Sequence, residues 1–283
     1  MALLKKQLKA TLKPIYLSAK RKVARSMYSY TPAELAAALK KLGLESGDTL
    51  MMHSGFDQFN GFTGGPEDVI DVVLEILGPT GNLLMMSMPY GGSSQRYADK
   101  KTVFDVAKSP SALGLISETF RRRPDVVRSA NPLHPVLASG PLAVWLTLDH
   151  EKIAHSCGRR SPFSRFLKID GKFLFFDAIF RSLTFVHYIE DKYSEELPVS
   201  LYESTPVTLG VKTPDGTTLD CKQFLFSAEA RERRNFETIE SAMRDSGRLA
   251  AAKVGNTDLL FCRARDVVET TDELMQSRQG FYI

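Results

Sequence analysis

The sequence predicts a single three-layer α/β domain with a mixed central sheet, preceded by a basic amphipathic helical arm. Three observations predict it. Strand-length apolar runs alternate with segments of helical period, Gly and Pro turns punctuate them, and no repeat or linker rich in Pro, Gly or Ser divides the chain. At 283 residues, such a chain can bury a substantial core.

Residues 1–28 place Leu4, Leu8, Leu12, Ile15 and Tyr16 at near-helical spacing among Lys5, Lys6, Lys9, Lys13, Lys20, Arg21, Lys22 and Arg25, with a break near Pro14. Residues 1–30 are therefore expected to form an arm that packs on the same protein or on another subunit of a homo-oligomer. Peripheral contact with an anionic membrane surface is the alternative. Thr31-Pro32-Ala33-Glu34 is a capping box with Pro at the first helical position, and it opens a helix through Lys41. A strand at Thr49–His53, a helix at Pro66–Leu77, a turn at Gly78–Gly81 and a buried strand at Asn82–Met88 follow. Ser111–Arg122 reads as a helix, Val136–Ser139 and Lys172–Phe176 as strands, and Leu183–Tyr193 as a helix starting near Thr184. Two alternating runs between Val207 and Phe226 flank Pro214-Asp215-Gly216 as a hairpin. The remainder reads as helix, short strand, helix, so residues 31–283 form one expected domain.

Composition removes several classes. With 43% hydrophobic and 25% charged residues the chain is an ordinary globular one. Cys157, Cys221 and Cys262 are far apart and form no CxxC pair, which argues against a structural zinc site or a disulfide framework. No apolar run approaches membrane-spanning length and no leader pattern opens the chain, so a cytoplasmic protein is expected. A net charge of +4 without an RNA motif, zinc finger or helix-turn-helix excludes a nucleic-acid partner.

Two constellations carry chemistry. The strand end His53-Ser54-Gly55 is followed by Thr63-Gly64-Gly65-Pro66 at a helix start, where glycine amides can approach a phosphate; a plain turn is the competing reading. Thr184, His187 and Glu190 lie at i, i+3 and i+6 after a strong strand, so a carboxylate one turn away can fix the imidazole tautomer and leave a base. A structural histidine competes there.

Motifs in a fixed order then resemble the aminoglycoside 3-N-acetyltransferase (antibiotic N-acetyltransferase) family between about Thr31 and Glu273. They are Met52-His53-Ser54, Gly64-Gly65, the Leu-Gly-Pro-x-Gly-x-Leu turn at 77–83, Phe104-Asp105 with Ser109-Pro110-Ser111, Arg128-Ser129 with Pro132 and His134, Gly158 with Ser161-Pro162, and Thr184-x-x-His187-x-x-Glu190. The resemblance implies direct attack of an amine on acetyl-CoA or another short acyl-CoA, without a metal. His187 would be the general base, Glu190 would orient it and Thr184 would sit beside the thioester. His53, Ser54, Thr63, Gly64, Gly65, Ser109 and Ser161 would hold the cofactor.

The departures surround the expected acceptor pocket: Gly55 replaces a second serine, Asn131 precedes Pro132 where relatives have histidine, Leu183 precedes Thr184, and Asp177-Ala178-Ile179 replaces glycines. Asp177, Asn131 and His134 are the expected acceptor contacts. Together with the basic net charge these departures favour an anionic acceptor, a nucleotide-linked amino sugar of cell-surface polysaccharide synthesis, over an aminoglycoside antibiotic. A serine hydrolase or thioesterase would need His53-Ser54 or Ser161 without any Gly-x-Ser-x-Gly elbow, and a non-catalytic binding protein would be expected to lose His187 or Glu190.

Overall fold

The computed structural model describes residues 18–19, 22–24, 26–56, 59–277 and 280–282. Most of the predicted arm lies outside them. Its described residues include Val23, Met27 and Tyr28, which are exposed, and Ala24, which is buried.

The elements that frame the site begin with helix α1 (Pro32–Lys41), whose Thr31–Glu34 capping box forms as predicted. Strand β1 (Thr49–Ser54), helix α2 (Pro66–Leu77), strand β2 (Asn82–Met86) and helix α3 (Ser94–Asp99) follow. Next come β3 (Phe104–Asp105), α4 (Leu115–Arg121), β4 (Val127–Arg128), β5 (Val136–Ser139), α5 (Ala143–Thr147) and α6 (Pro162–Lys168). The chain continues through β6 (Lys172–Phe176), α7 (Val186–Lys192), β7 (Val207–Lys212), β8 (Thr218–Gln223), α8 (Ala228–Arg233) and α9 (Phe236–Asp245). It closes with β9 (Ala250–Val254), β10 (Thr257–Arg263) and α10 (Ala264–Gln276).

Among the described residues, seven strands form a mixed sheet in the order β4-β5-β2-β1-β6-β10-β9. β1 runs parallel to β2 and β6, while β5 and β10 flank that trio antiparallel to their neighbours. Strand period two explains why the central strands read as continuous apolar runs, since both faces are covered. Met51, Leu84, Met86, Phe173 and Phe175 point into one buried cluster with α5, α6, α7, α9 and α10. Leu50, Met52, Leu83, Met85, Leu174 and Phe176 point into the other, with α1, α2 and α4. A separate three-stranded sheet, β3-β7-β8, contains the predicted hairpin.

Several boundaries differ from the sequence reading. The helix expected from Ser111 starts at Leu115, because Ser111 and Leu113 form a turn held by the Glu118 and Ser111 side chains. The helix expected from Leu183 is a 3-10 turn at Phe180–Ser182 and then α7, so Thr184 precedes the helix and its carbonyl accepts from His187 N at 3.0 Å. The single strand expected near the C-terminus is the hairpin β9–β10, turning at Gly255-Asn256.

Candidate active site

The carboxyl ends of β1, β2 and β6 open onto a cavity of about 340 Å³ lined by Met52, His53, Ser54, Met86, Ala178, Thr184 and His187 among others. This is where an open α/β sheet places its ligands. His187 also lines a second cavity of about 450 Å³ with Tyr90, His134, Phe226 and Arg234, and a third of about 510 Å³ with Arg181, Arg231, Asn235 and Glu237. His187 is thus the side chain shared by three adjoining spaces.

The packing around it sets its chemistry. His187 Nδ1 lies 2.6 Å from Glu190 Oε2, one turn along α7, and the Glu190 side chain is 0% exposed. Glu190 Oε1 accepts a second bond from Arg234 Nε at 2.6 Å and a third from the Tyr282 hydroxyl. Burial alone would raise the Glu190 pKa, but the bond and charge of His187 and then Arg234 offset it, and the carboxyl is held below its usual range. An ionised Glu190 can only accept, so Nδ1 carries the proton and Nε2 keeps its lone pair. Burial lowers the His187 pKa from its ordinary value, against the opposing pull of Glu190, so the ring is neutral near pH 7. Phe226, with its ring centroid 4.6 Å away, and Phe236 at 6.0 Å wall the imidazole.

Of the remaining sequence candidates, His53, Ser54 and Thr184 line the first cavity, and His134 faces His187 with ring centroids 6.0 Å apart. His134 Nδ1 is 2.6 Å from Ser156 Oγ, and burial holds the ring neutral, as it does His53, whose pKa falls to about 4. Asn131 is elsewhere occupied: fully buried, it donates to His150 O and Gln223 Oε1 and accepts from Leu133 N and His134 N. It fixes the loop that presents His134. Asp177 takes φ 51°, a left-handed conformation that Asp tolerates and glycine adopts freely, and its carboxylate lies 3.5 Å from Asn60 Nδ2.

The Thr63-Gly64-Gly65 turn lines none of these three cavities. Thr63 N donates to Tyr30 O, tying the turn to the segment before α1, and Gly65 N donates to Asp68 Oδ2, closing the start of α2, so both amides are already engaged. Ser109 Oγ accepts from Asp105 N, and Ser161 is fully buried at the start of α6. At Gly55 an added Cβ would stand 2.3 Å from the Asp177 carbonyl oxygen, so the tight approach of the β1 and β6 ends requires glycine. The three thiols are buried and carry pKa values pushed up by burial, Cys221 to about 11, which removes a thiolate nucleophile.

Sequence reasoning missed Arg181, Arg231, Arg234, Phe226, Phe236 and Tyr282. The one usable signal was Arg231-x-Arg233-Arg234-Asn235-Phe236, a basic run ending in an aromatic, which otherwise reads as a solvated helix face. Among the described residues, no group of three or more His, Cys, Asp or Glu is arranged to hold a metal ion, and no helix is long and apolar enough to cross a membrane.

Comparison with known proteins agrees with this geometry. The family model described as Aminoglycoside 3-N-acetyltransferase matches residues 51–276. Aminoglycoside N(3)-acetyltransferase III of Salmonella sp is 30% identical over 261 residues, covering 84% of this chain and 89% of the relative. A mutant of aminoglycoside acetyltransferase AAC(3)-IVa, in complex with a gentamicin, superposes with a TM-score of 0.73 at 27% identity, covering 90% of this chain and 92% of that one. AAC-IIIb in a binary complex with CoASH shares the fold, with a TM-score of 0.72 at 23% identity over 89% of this chain and 98% of that one. Extended over most of the chain, and joined by the His187–Glu190 pair at the sheet's carboxyl edge, these likenesses mean that the protein belongs to the aminoglycoside 3-N-acetyltransferase family.

Proposed function

We propose that this protein transfers an acetyl group from acetyl-CoA to a primary amine of an aminoglycoside. His187 is the general base and Glu190 its orienting partner. The observation that carries the reading is a neutral imidazole, aligned by a buried carboxylate, where three cavities meet. Two substrates can reach it from different sides. The amine attacks the thioester carbon, a C–N bond forms, His187 Nε2 takes the amine proton, and the C–S bond breaks to release the CoA thiolate. His53, Ser54 and Thr184 border the space assigned to the thioester end, and His134 borders the acceptor side. The transferase unit is residues 31–283, with residues 1–30 as an arm outside the chemistry.

The nucleotide-linked acceptor expected from net charge gives way to the aminoglycoside, because the relatives are named aminoglycoside acetyltransferases and the family likeness spans the site. One observation favours a second reading: with Arg234 paired to Glu190, Arg181 and Arg231 against Glu237 leave the third cavity a positive balance, which suits an amino sugar carrying an anionic group. Thiol release from acetyl-CoA with gentamicin and with sugar nucleotides bearing a free amine decides between them. Turnover of gentamicin supports the first reading, turnover of the sugar nucleotides alone supports the second, and no turnover with any amine defeats both.

A further inference from the structure

A carboxylate that is fully buried beside a histidine tends to draw a proton onto the ring, because an uncompensated buried anion is costly. That would leave an imidazolium, which cannot act as a base. What offsets the tendency here arrives from two segments distant in sequence. Residues Arg234 and Tyr282 form an antiparallel β-bridge, reinforced by Asn235 N donating to Phe281 O at 2.9 Å. From that bridge both side chains turn onto one atom, Glu190 Oε1. The Arg234 guanidinium is itself held 4.4 Å over the Phe226 ring that also walls His187. Its reach to Glu190 is therefore defined by packing, and its side chain is only 13% exposed.

We propose that Arg234 and Tyr282 are positioning residues of the acetyl transfer, supplying the charge and hydrogen bonds that let Glu190 stay ionised while His187 stays unprotonated. This rests on His187 acting as the base. Two donors on Oε1 leave Oε2 for His187 Nδ1–H, which fixes the ring plane and aims Nε2 into the cleft. Other titratable or charged groups face the pair. His134 stands across the cleft, Cys157 and Tyr202 lie behind Glu190, and Arg181, Arg231 and Glu237 sit at the mouth. Of these groups, none replaces the bonds that Arg234 and Tyr282 make to the carboxylate. Removing either donor makes the pair hold a proton more tightly, so the pH at which His187 becomes a free base moves up.

The test is the titration of His187 in the full-length apo protein, followed by NMR of 15N-labelled histidine and assigned by the signal lost in His187→Ala. Arg234→Gln is expected to raise the His187 titration midpoint by about one pH unit, and Tyr282→Phe by about half a unit, the scale of a bond lost from a carboxylate. Arg234→Lys, which keeps the charge, should stay near wild type. In turnover, Arg234→Gln should lower kcat by roughly 10- to 100-fold, as for other residues that orient a catalytic group, with the acetyl-CoA KM little changed. A folded Arg234→Gln whose His187 midpoint and tautomer match wild type overturns the proposal. If that variant does not fold, an unchanged midpoint in Tyr282→Phe overturns it instead. Failure of the base assignment would be seen separately, as normal turnover by His187→Ala.

Discussion

Two histidine–carboxylate pairs share helix α7. Glu190 and Asp191 are consecutive, so their side chains leave the helix about 100° apart. Glu190 turns inward to His187. Asp191 turns the other way, where its Oδ1 lies 3.1 Å from His155 Nδ1 and accepts from the Tyr202 hydroxyl at 2.8 Å. The bonding resembles that of the first pair, but the surroundings differ. The His155 side chain is 43% exposed and stacked on Tyr202 with centroids 4.2 Å apart, whereas the His187 side chain is 18% exposed and borders three cavities. Asp191 also occupies the space a side chain at Gly158 would need, which locks the 155–161 loop to α7. A carboxylate beside a histidine is therefore not enough to identify a base. What separates the two is where the ring stands: His155 lines a separate cavity of about 450 Å³ among Lys152, Arg159 and Arg160, with no residue of β1, β2 or β6 in its wall, whereas His187 stands where three spaces meet at the ends of those strands.

Exchanging each pair in turn breaks or sharpens that contrast. The largest effect is expected for His187→Ala, which should lower kcat by roughly 10²–10⁴ while leaving acetyl-CoA affinity nearly intact by calorimetry. His155→Ala should keep kcat within about twofold of wild type, since it borders neither space assigned to the reactants. A comparable loss in both would erase the distinction. Next comes Glu190→Gln, expected to cost roughly 10- to 100-fold in kcat because the ring stays but is poorly held. Asp191→Asn should instead appear in the melting curve, destabilising by about 1–3 kcal/mol for weakened bonds to a buried carboxylate, with turnover preserved.

The pH profile is subtler. As the proposed base, His187 would act when neutral, and its pKa lies below the ordinary histidine value, so the wild-type rate should stay flat through pH 7 and fall only in more acidic buffer. A limb unchanged in His155→Ala but absent from the residual rate of His187→Ala assigns it. A last test concerns stability and involves neither pair. His53 and His150 are buried, with burial depressing both pKa values to about 4. The unfolded chain binds their protons first, so stability is full above about pH 6.5 and is lost as pH falls towards about 4. At the end of that window the loss is roughly 3 kcal/mol for each ring. Denaturant midpoints that do not fall between pH 7 and 5 would contradict the burial of these rings.

How much could be seen beforehand follows from the range of each interaction. The His187–Glu190 pair was legible because a helix places i and i+3 side by side, and the central strands were legible because both faces of the sheet are covered. The Asp68 side chain that occupies Gly65 N was visible at the third helical position, yet a glycine pair before a helix reads equally as a phosphate cradle or a turn. Arg234 and Tyr282 were not legible, since each is an ordinary surface residue type until a β-bridge carries it onto Glu190. Asn131, expected as an acceptor contact, shows what spacing leaves out. Its amide is engaged by the loop it holds, through partners distant in sequence as well as near.

The register at the centre of the sheet bears on how the protein comes to be folded. His53 pairs with Phe175 and Ser54 with Phe176, so the floor of the cleft joins the first strand to one made much later in synthesis. Parallel pairing across so long an excursion pays its loop-closure entropy before any contact rewards it. The chain is accordingly expected to fold slowly for its size, with β1 and β2 exposed as apolar strands until β6 arrives. The strands that frame the reaction centre are then also the segments most prone to aggregate on a nascent or heat-stressed chain.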